Sequence, residues 1–297
     1  MRITRAFEPF LPLCERILPG RLTGLSMTLL KATALELMIL AGHLVLYPSG
    51  ITQERRTPPA LPAEDGGEEP AALPTQGPPP VVLLHGFIDN RSVFVLLRRS
   101  LAQHGRHQVE SLNYSPLTCD IRTAAELLGR HIEGICARTG SRQVDIVGHS
   151  LGGLIARYYV QRLGGDVRVR TLVTLGTPHS GTRVAPLADA HPIVRQMRPG
   201  SAVIEELKRP APGCRTRFVS FWSDLDHIMD PLEAACVDHP DLRALNVRVT
   251  GIGHLALPVH PAVATGIRQA LDDTEAMAAD LDGAAQAQAH TGGLTVA

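Results

Sequence analysis

Short apolar runs alternate with amphipathic stretches between residues 80 and 275. The runs VVLLHG, HQVESLNYSP, QVDIVGHS, VRTLVTLGTP, RFVSFWS and NVRVTGIGH have the length and composition of strands. The stretches SVFVLLRRSLAQHG, DIRTAAELLGRHIEGICARTG and LGGLIARYYVQRLGG carry apolar residues at helical spacing and end in glycine. Strands that alternate with helices imply right-handed crossovers. The pattern therefore predicts an α/β fold with a mostly parallel central sheet and helices on both faces.

A second apolar stretch, residues 24–48, lies near the N-terminus. It is about as long as a bilayer-spanning helix and follows a basic segment, which is typical of a signal anchor. Lys31, Glu36 and His43 interrupt it, however, and the part after Glu36, residues 37–46, is too short to span alone. A cleaved signal peptide and an amphipathic helix that packs on the domain or on a membrane surface are the alternatives.

We expect residues 24–47 to mediate membrane association. That expectation places the following domain outside the cytoplasm, either membrane-associated or secreted, with a cytoplasmic location as the alternative.

Proline, glycine and acidic residues dominate residues 57–80, which cannot bury enough apolar surface to form a core. The predicted organisation is an N-terminal helical segment (1–50), a linker (51–79), a compact domain (80–275) and a flexible tail (276–297).

Charge and cysteine content narrow the function classes. The chain has 297 residues, with 29 basic and 29 acidic side chains, and this balance argues against a nucleic-acid partner. None of the five cysteines forms a CxxC pair, which makes a zinc ribbon or a thioredoxin-like site unexpected. In an exported domain four of them could form two disulfides, with Cys214–Cys236 as the preferred pair; the alternative is that all are reduced.

The sequence Gly148-His149-Ser150-Leu151-Gly152 stands where a predicted strand passes into a predicted helix. It fits the G-x-S-x-G pattern, in which a serine projects from a sharp turn and flanking glycines avoid clashes with the strand and helix. The simpler alternative is a turn serine that caps the helix. In the functional interpretation, Ser150 is a nucleophile.

A serine nucleophile requires a base and an acid that orients the base, and in this architecture they follow in the order Ser, Asp or Glu, His. His254 lies just past the last predicted strand, where such sheets place their sites, and His260 is its nearest rival. Asp226 is the preferred acid, with Asp224 and then Asp230 as alternatives.

The oxyanion of an acyl-transfer intermediate also requires backbone donors. The N–H of Leu151, directly after the serine, is one expected donor. The other is the N–H of Phe87, in the loop LLHGFIDN after the first core strand.

Five motifs together resemble bacterial lipases and esterases of the α/β-hydrolase fold, most closely the lipase class 2 group of triacylglycerol lipases. They are VVLLHGF, VDIVGHSLGGLIARYYV, LVTLGTPHSGT, FWSDLDHIM and GIGHLAL. The resemblance implies Asp226 as the acid, from the family's S-x-x-D-x-I-V segment, and His254 as the base, from its G-x-G-H. It implies Phe87, after His-Gly, as the second oxyanion donor.

The resemblance further implies that the insert at residues 183–213 is a small cap or lid over a lipid pocket; a surface helix without gating function is the alternative. No cofactor and no metal are expected. The expected activity is hydrolysis of acyl esters of lipids by a serine esterase or lipase. The alternatives are an acyltransferase, thioesterase or lipid deacylase on the same fold, and a non-catalytic membrane-tethered binding module.

Overall fold

A central sheet of parallel strands organises the chain. The computed structural model describes residues 27–51, 77–87, 89–114, 120–184, 191–272 and 294–296. Within these residues the sheet has seven strands in the order β2-β1-β3-β4-β5-β6-β7, and every pair is parallel. The strands are β1 (Val81–Leu84), β2 (Val109–Leu112), β3 (Val144–His149), β4 (Val169–Leu175), β5 (Arg217–Ser223), β6 (Arg243–Val249) and β7 (Leu294–Val296). All the carboxyl ends therefore lie at one edge, where sites form in such sheets.

Helices cover both faces of this sheet, as predicted from the alternating pattern. They are α1 (Met27–Ile51), α2 (Val95–Gln103), α3 (Ile121–Thr139), α4 (Leu151–Arg162), α5 (Pro192–Gln196), α6 (Ala202–Lys208) and α7 (Pro261–Asp272). Successive strand residues point to opposite faces. Thus Val82 and Leu84 pack with α3, α4, α5 and α6, whereas Val81 and Leu83 pack with α2 and α7.

Helix α1 lies against the second of these faces. Ala32 is buried, and Leu35 and Ile39 pack on the cluster that α2 and α7 share. Within the described residues, no helix combines the length and the apolar character that crossing a bilayer requires. The contacts of Ala32, Leu35 and Ile39 show that α1 packs on the domain, one of the arrangements expected for this stretch.

Three segments differ from the predictions or lie partly beyond the described residues. Strand β7 pairs with β6, where the sequence predicts only a flexible tail; its Leu-Thr-Val residues favour a strand and satisfy the backbone groups of the β6 edge. Residues 273–293 and most of the predicted linker, 52–76, lie outside the description. The 183–213 insert contains α5 and α6, with residues 185–190 not described.

The preferred disulfide is not present. Cys214 and Cys236 are free thiols, as is Cys136, while Cys14 and Cys119 lie outside the described residues. Backbone hydrogen bonds fix Cys214 and Cys236 in separate turns, since their N–H groups donate to the carbonyls of Ala211 and Glu233. Burial raises the pKa of both thiols, which keeps them protonated.

Candidate active site

Ser150 occupies a strained turn between β3 and α4. Its φ of 52° and ψ of −120° make it the one non-glycine residue with positive φ among the described residues. Its N–H donates to the Leu175 carbonyl at 2.9 Å, and its carbonyl accepts from the Thr177 hydroxyl at 2.9 Å. These bonds and the packing around them hold a conformation that costs free energy, and such strain is concentrated at functional sites.

The backbone packed around Ser150 leaves no room for a side chain at Gly148 or Gly152. A Cβ on Gly148 would lie 2.5 Å from the Cα of Gly153, and a Cβ on Gly152 would lie 2.3 Å from the carbonyl oxygen of Leu84. Both contacts are with backbone, so no side-chain adjustment could relieve them. The glycine spacing in the sequence therefore has the steric cause proposed for it.

Asp226 and His254 form a buried pair. Asp226 follows β5 and His254 follows β6, and Oδ2 of the aspartate lies 2.7 Å from Nδ1 of the histidine. The other carboxylate oxygen, Oδ1, accepts the N–H of Ile228 at 2.9 Å. Burial alone would lower the pKa of His254, but the Asp226 carboxylate raises it above its ordinary value. Burial raises the pKa of Asp226, yet attraction to His254 brings it below its usual range. The pair thus stabilises an imidazolium.

The rival residues lie elsewhere. The carboxylate of Asp224 binds Arg248 Nη2 at 3.1 Å and the N–H of Gly251 at 3.1 Å. The N–H of Asp230 donates to the Thr182 hydroxyl, and that of His260 donates to the Ala256 carbonyl ahead of α7. Of the three aspartates that the sequence offers, Asp226 is the one that contacts His254.

Ser150 and His254 both line a largely apolar cavity of about 310 Å³. Its apolar walls come from α1, the β1 loop, the 183–213 insert and the Asp226 loop. The lining residues include Leu40, Phe87, Ser150, Val184, Val194, Met197, Ile228, Met229, His254 and Leu255. The insert therefore borders the cavity, as a cap would.

The two expected oxyanion donors flank Ser150. Leu151 is the first residue of α4, and the helix N-terminus favours negative charge there. Phe87 lies in the loop after β1, and among the described residues no hydrogen bond engages the N–H of either. A Cβ on Gly86 would lie 3.2 Å from His149 Nδ1 and 3.4 Å from the Ser150 Cβ. The small Gly86 thus lets this loop approach the serine closely.

Three polar residues near the site, Glu36, His43 and Asp89, were not predicted as part of it. Glu36 accepts hydrogen bonds from the N–H groups of Leu255 at 3.0 Å and Ala256 at 2.9 Å. Asp89 lies between two histidines, with His43 Nδ1 3.4 Å from Oδ1 and His149 Nδ1 3.4 Å from Oδ2.

A sequence signal for two of these residues exists. Glu36 and His43 are seven residues apart, so they share one face of α1, and this face also carries Leu40. Polar residues at that spacing inside an apolar helix indicate an inward contact.

Burial raises the pKa of Asp89, but the neighbouring His149 and His43 lower it by a larger amount. The pKa of Asp89 therefore lies below its ordinary value, and the carboxylate is ionised.

No cluster of three or more His, Cys, Asp or Glu side chains suited to a metal ion occurs in the part of the chain that the structure describes.

Comparisons with known proteins identify the family and the fold of the chain. A family model described as palmitoyl protein thioesterase matches residues 80–229, half of the chain, and this region contains Ser150 and Asp226. A triacylglycerol lipase of Vibrio cholerae serotype O1 is 31% identical over 138 residues, covering 45% of this chain and 41% of that protein. A triacylglycerol lipase of Pseudarthrobacter phenanthrenivorans is 32% identical over 114 residues, covering 36% and 35%.

The crystal structure of Aspergillus fumigatus lipase B has a TM-score of 0.60 at 18% identity, covering 72% of this chain and 58% of that chain. The predicted α/β-hydrolase fold and the resemblance to bacterial lipases and esterases are therefore confirmed. The chain spans about two fifths or less of the length of the curated relatives that it matches.

Proposed function

The chain belongs to the palmitoyl protein thioesterase family, and from this premise and the geometry of the site we propose that it hydrolyses acyl esters of lipids through Ser150. The observation that carries the proposal is the buried Asp226–His254 pair, at 2.7 Å, whose histidine lines the same apolar cavity as the strained serine. A cavity with apolar walls and a few polar groups at one end suits an acyl chain with its carbonyl at the polar end.

The reaction proceeds through an acyl-enzyme. His254 takes the proton of the Ser150 hydroxyl as its oxygen attacks the ester carbonyl, and Asp226 orients the imidazole and stabilises its cation. The N–H groups of Phe87 and Leu151 bind the negative oxygen of the tetrahedral intermediate. His254 then protonates the leaving alcohol, and water, activated by the same histidine, releases the fatty acid.

Covalent labelling tests the nucleophile. We expect an organophosphonate to label Ser150, and Ser150→Ala to abolish both labelling and hydrolysis, with kcat at least about 10⁴-fold lower. Ser180→Ala is the matched control, because Ser180 is exposed and belongs to a different loop. A Ser150→Ala variant that keeps the wild-type rate, or a label on another residue, would contradict the proposal.

A substrate series tests the class of ester. We expect p-nitrophenyl esters to be hydrolysed faster as the acyl chain lengthens, with a further increase at an oil–water interface. The family description favours thioester hydrolysis as a second candidate. Palmitoyl-coenzyme A and p-nitrophenyl palmitate share one acyl chain, so the ratio of their kcat/KM values distinguishes the two. Activity restricted to short soluble esters would refute the lipid substrate.

We further propose that the outward face of α1 contacts a lipid surface. Leu30, Leu37, Met38 and Val45 are 47%, 63%, 66% and 78% exposed, and their spacing puts them on one face of the helix. Basic residues that precede the helix in the sequence, Arg2, Arg5, Arg16 and Arg21, attract anionic headgroups. The opposite face of α1 supplies Leu40 to the cavity, so adsorption would bring the substrate source close to the site.

A further inference from the structure

Glu36 of α1 contacts the loop that carries His254 on both sides of the histidine. Its two carboxylate oxygens accept the N–H groups of Leu255 and Ala256, which are 219 and 220 residues away along the chain. On the other side, a Cβ on Gly253 would lie 2.5 Å from the Glu36 Cδ. The glutamate therefore fits closely against the residue before His254 and binds the two residues after it.

The loop depends on such an external support. Gly251 has a φ of 78°, and together with Gly253 it allows the backbone before His254 many conformations in the absence of tertiary contacts. Two N–H groups without an acceptor at this buried place would also destabilise the observed conformation. Glu36 supplies both acceptors from a helix outside the sheet.

From these contacts we infer that Glu36 is a positioning residue for His254 and that α1 is a structural part of the active site. The inference rests on the proposed function of Ser150 and His254. Glu36 acts on the reaction through the loop, by holding the imidazole where it binds Asp226 and lines the same cavity as Ser150.

The charges around His254 give this role a second readout. The groups that face the imidazole are Asp226, Glu36, Asp89 and His149, whose ring centroid lies 4.8 Å from that of His254. Burial lowers the pKa of His254, whereas the three carboxylates raise it. Because the base must be neutral, kcat/KM falls as the pH drops through this pKa. Removal of the Glu36 charge lowers the pKa of His254, so the fall in kcat/KM occurs at lower pH.

The test uses Glu36→Gln and Glu36→Ala in the full chain, with Glu126→Gln on the exposed surface of α3 as the matched control. We expect kcat for p-nitrophenyl butyrate to fall between about 10- and 100-fold in both variants, with a much smaller change in KM. The acidic limb of the pH profile moves to lower pH in Glu36→Gln. The rate of organophosphonate labelling falls together with kcat. Glu126→Gln matches the wild type throughout.

Thermal unfolding of each variant separates misplacement of the loop from loss of the fold. A Glu36→Gln protein that unfolds at the wild-type temperature with a lowered kcat supports the inference. A Glu36→Gln protein with wild-type kcat and an unmoved acidic limb overturns it while the proposed function stands. A wild-type protein that neither hydrolyses esters nor takes the label removes the proposed function itself.

Discussion

Three aspartates within seven positions differ in their hydrogen-bond partners. Asp226 binds His254, Asp224 binds Arg248 and the backbone of Gly251, and the N–H of Asp230 binds the Thr182 hydroxyl. A general base in an apolar cavity needs an anion at its far nitrogen, both to fix the tautomer and to stabilise the cation. Under the proposed mechanism, Asp226 is therefore the one of these three aspartates whose loss should affect turnover.

Asp226→Asn is expected to lower kcat by about 10³- to 10⁴-fold, because the amide favours the wrong tautomer of the imidazole and offers it no charge. Steady-state kinetics with p-nitrophenyl butyrate measure the loss. Asp224→Asn is the matched control and should retain kcat, since its carboxylate binds Arg248 away from the imidazole and the asparagine oxygen can still accept the N–H of Gly251. Equal losses in the two variants would refute the assignment of Asp226.

Local patterns predict some of these residues and not others. The turn at Ser150 is readable because its steric requirements fall within five consecutive residues, with glycines at 148 and 152. The local pattern prefers Asp226 but leaves two alternatives, and family resemblance adds a reason for the preference; the contact of Asp226 with His254 supports the choice. Glu36 has no local signature of its role, because its partners are 219 and 220 residues away.

Helix α1 has two faces with different partners. Its inner face carries Glu36, Leu40 and His43 to the site, whereas its outer face leaves large apolar side chains in water. In the sequence Glu36 and His43 read as interruptions of an apolar span. The structure shows the physical reason for them, since both point to polar partners on the domain.

Replacement of Leu37 and Met38 together by Gln is expected to weaken vesicle binding by roughly tenfold or more, because these side chains would no longer enter the apolar layer. Gln preserves the helix propensity. Sedimentation with vesicles of phosphatidylcholine and phosphatidylglycerol measures the partition. Val167→Gln, an exposed apolar position outside α1, is the control. Unchanged binding of the double variant would refute the proposed lipid-contacting face.

An ion cluster holds the opposite edge of the molecule together. Asp145 in β3 is fully buried and binds Arg106 at 3.1 Å and Arg170 at 2.6 Å. Both arginines also donate to the carbonyl of Leu271 near the end of α7. The cluster thus links a helix to the strands at the edge away from the candidate active site.

Asp145→Asn is expected to lower the free energy of unfolding by about 3–5 kcal/mol, since it removes the buried counter-charge that Arg106 and Arg170 share and leaves Arg106 with the exposed Asp272. Urea denaturation measures the change. Asp166→Asn, which breaks an exposed pair with Arg215, is the control and should cost less than about 1 kcal/mol. The kcat of the folded Asp145→Asn enzyme should be unchanged. A loss as small as that of the control would show that the cluster is not a structural link.

The alternating pattern of the sequence predicts the central sheet better than it predicts the last strand near the end of the chain. Six strands match predicted apolar runs, because parallel strands buried on both faces require such runs. Strand β7 has only three residues at the end of a polar, alanine-rich stretch, and no periodicity can develop over that length. Its pairing depends on the available edge of β6, which is a tertiary property.

The hydrogen bonds between α1 and the loop after β6 bear on how the protein should be prepared for activity measurements. A shortened clone that starts at β1 would include every residue of the proposed triad and both proposed oxyanion donors. Such a product could fold and still turn over slowly, because the amides of Leu255 and Ala256 would face water instead of a carboxylate. Rates measured on such a truncated chain would therefore be lower than the rates of the full chain.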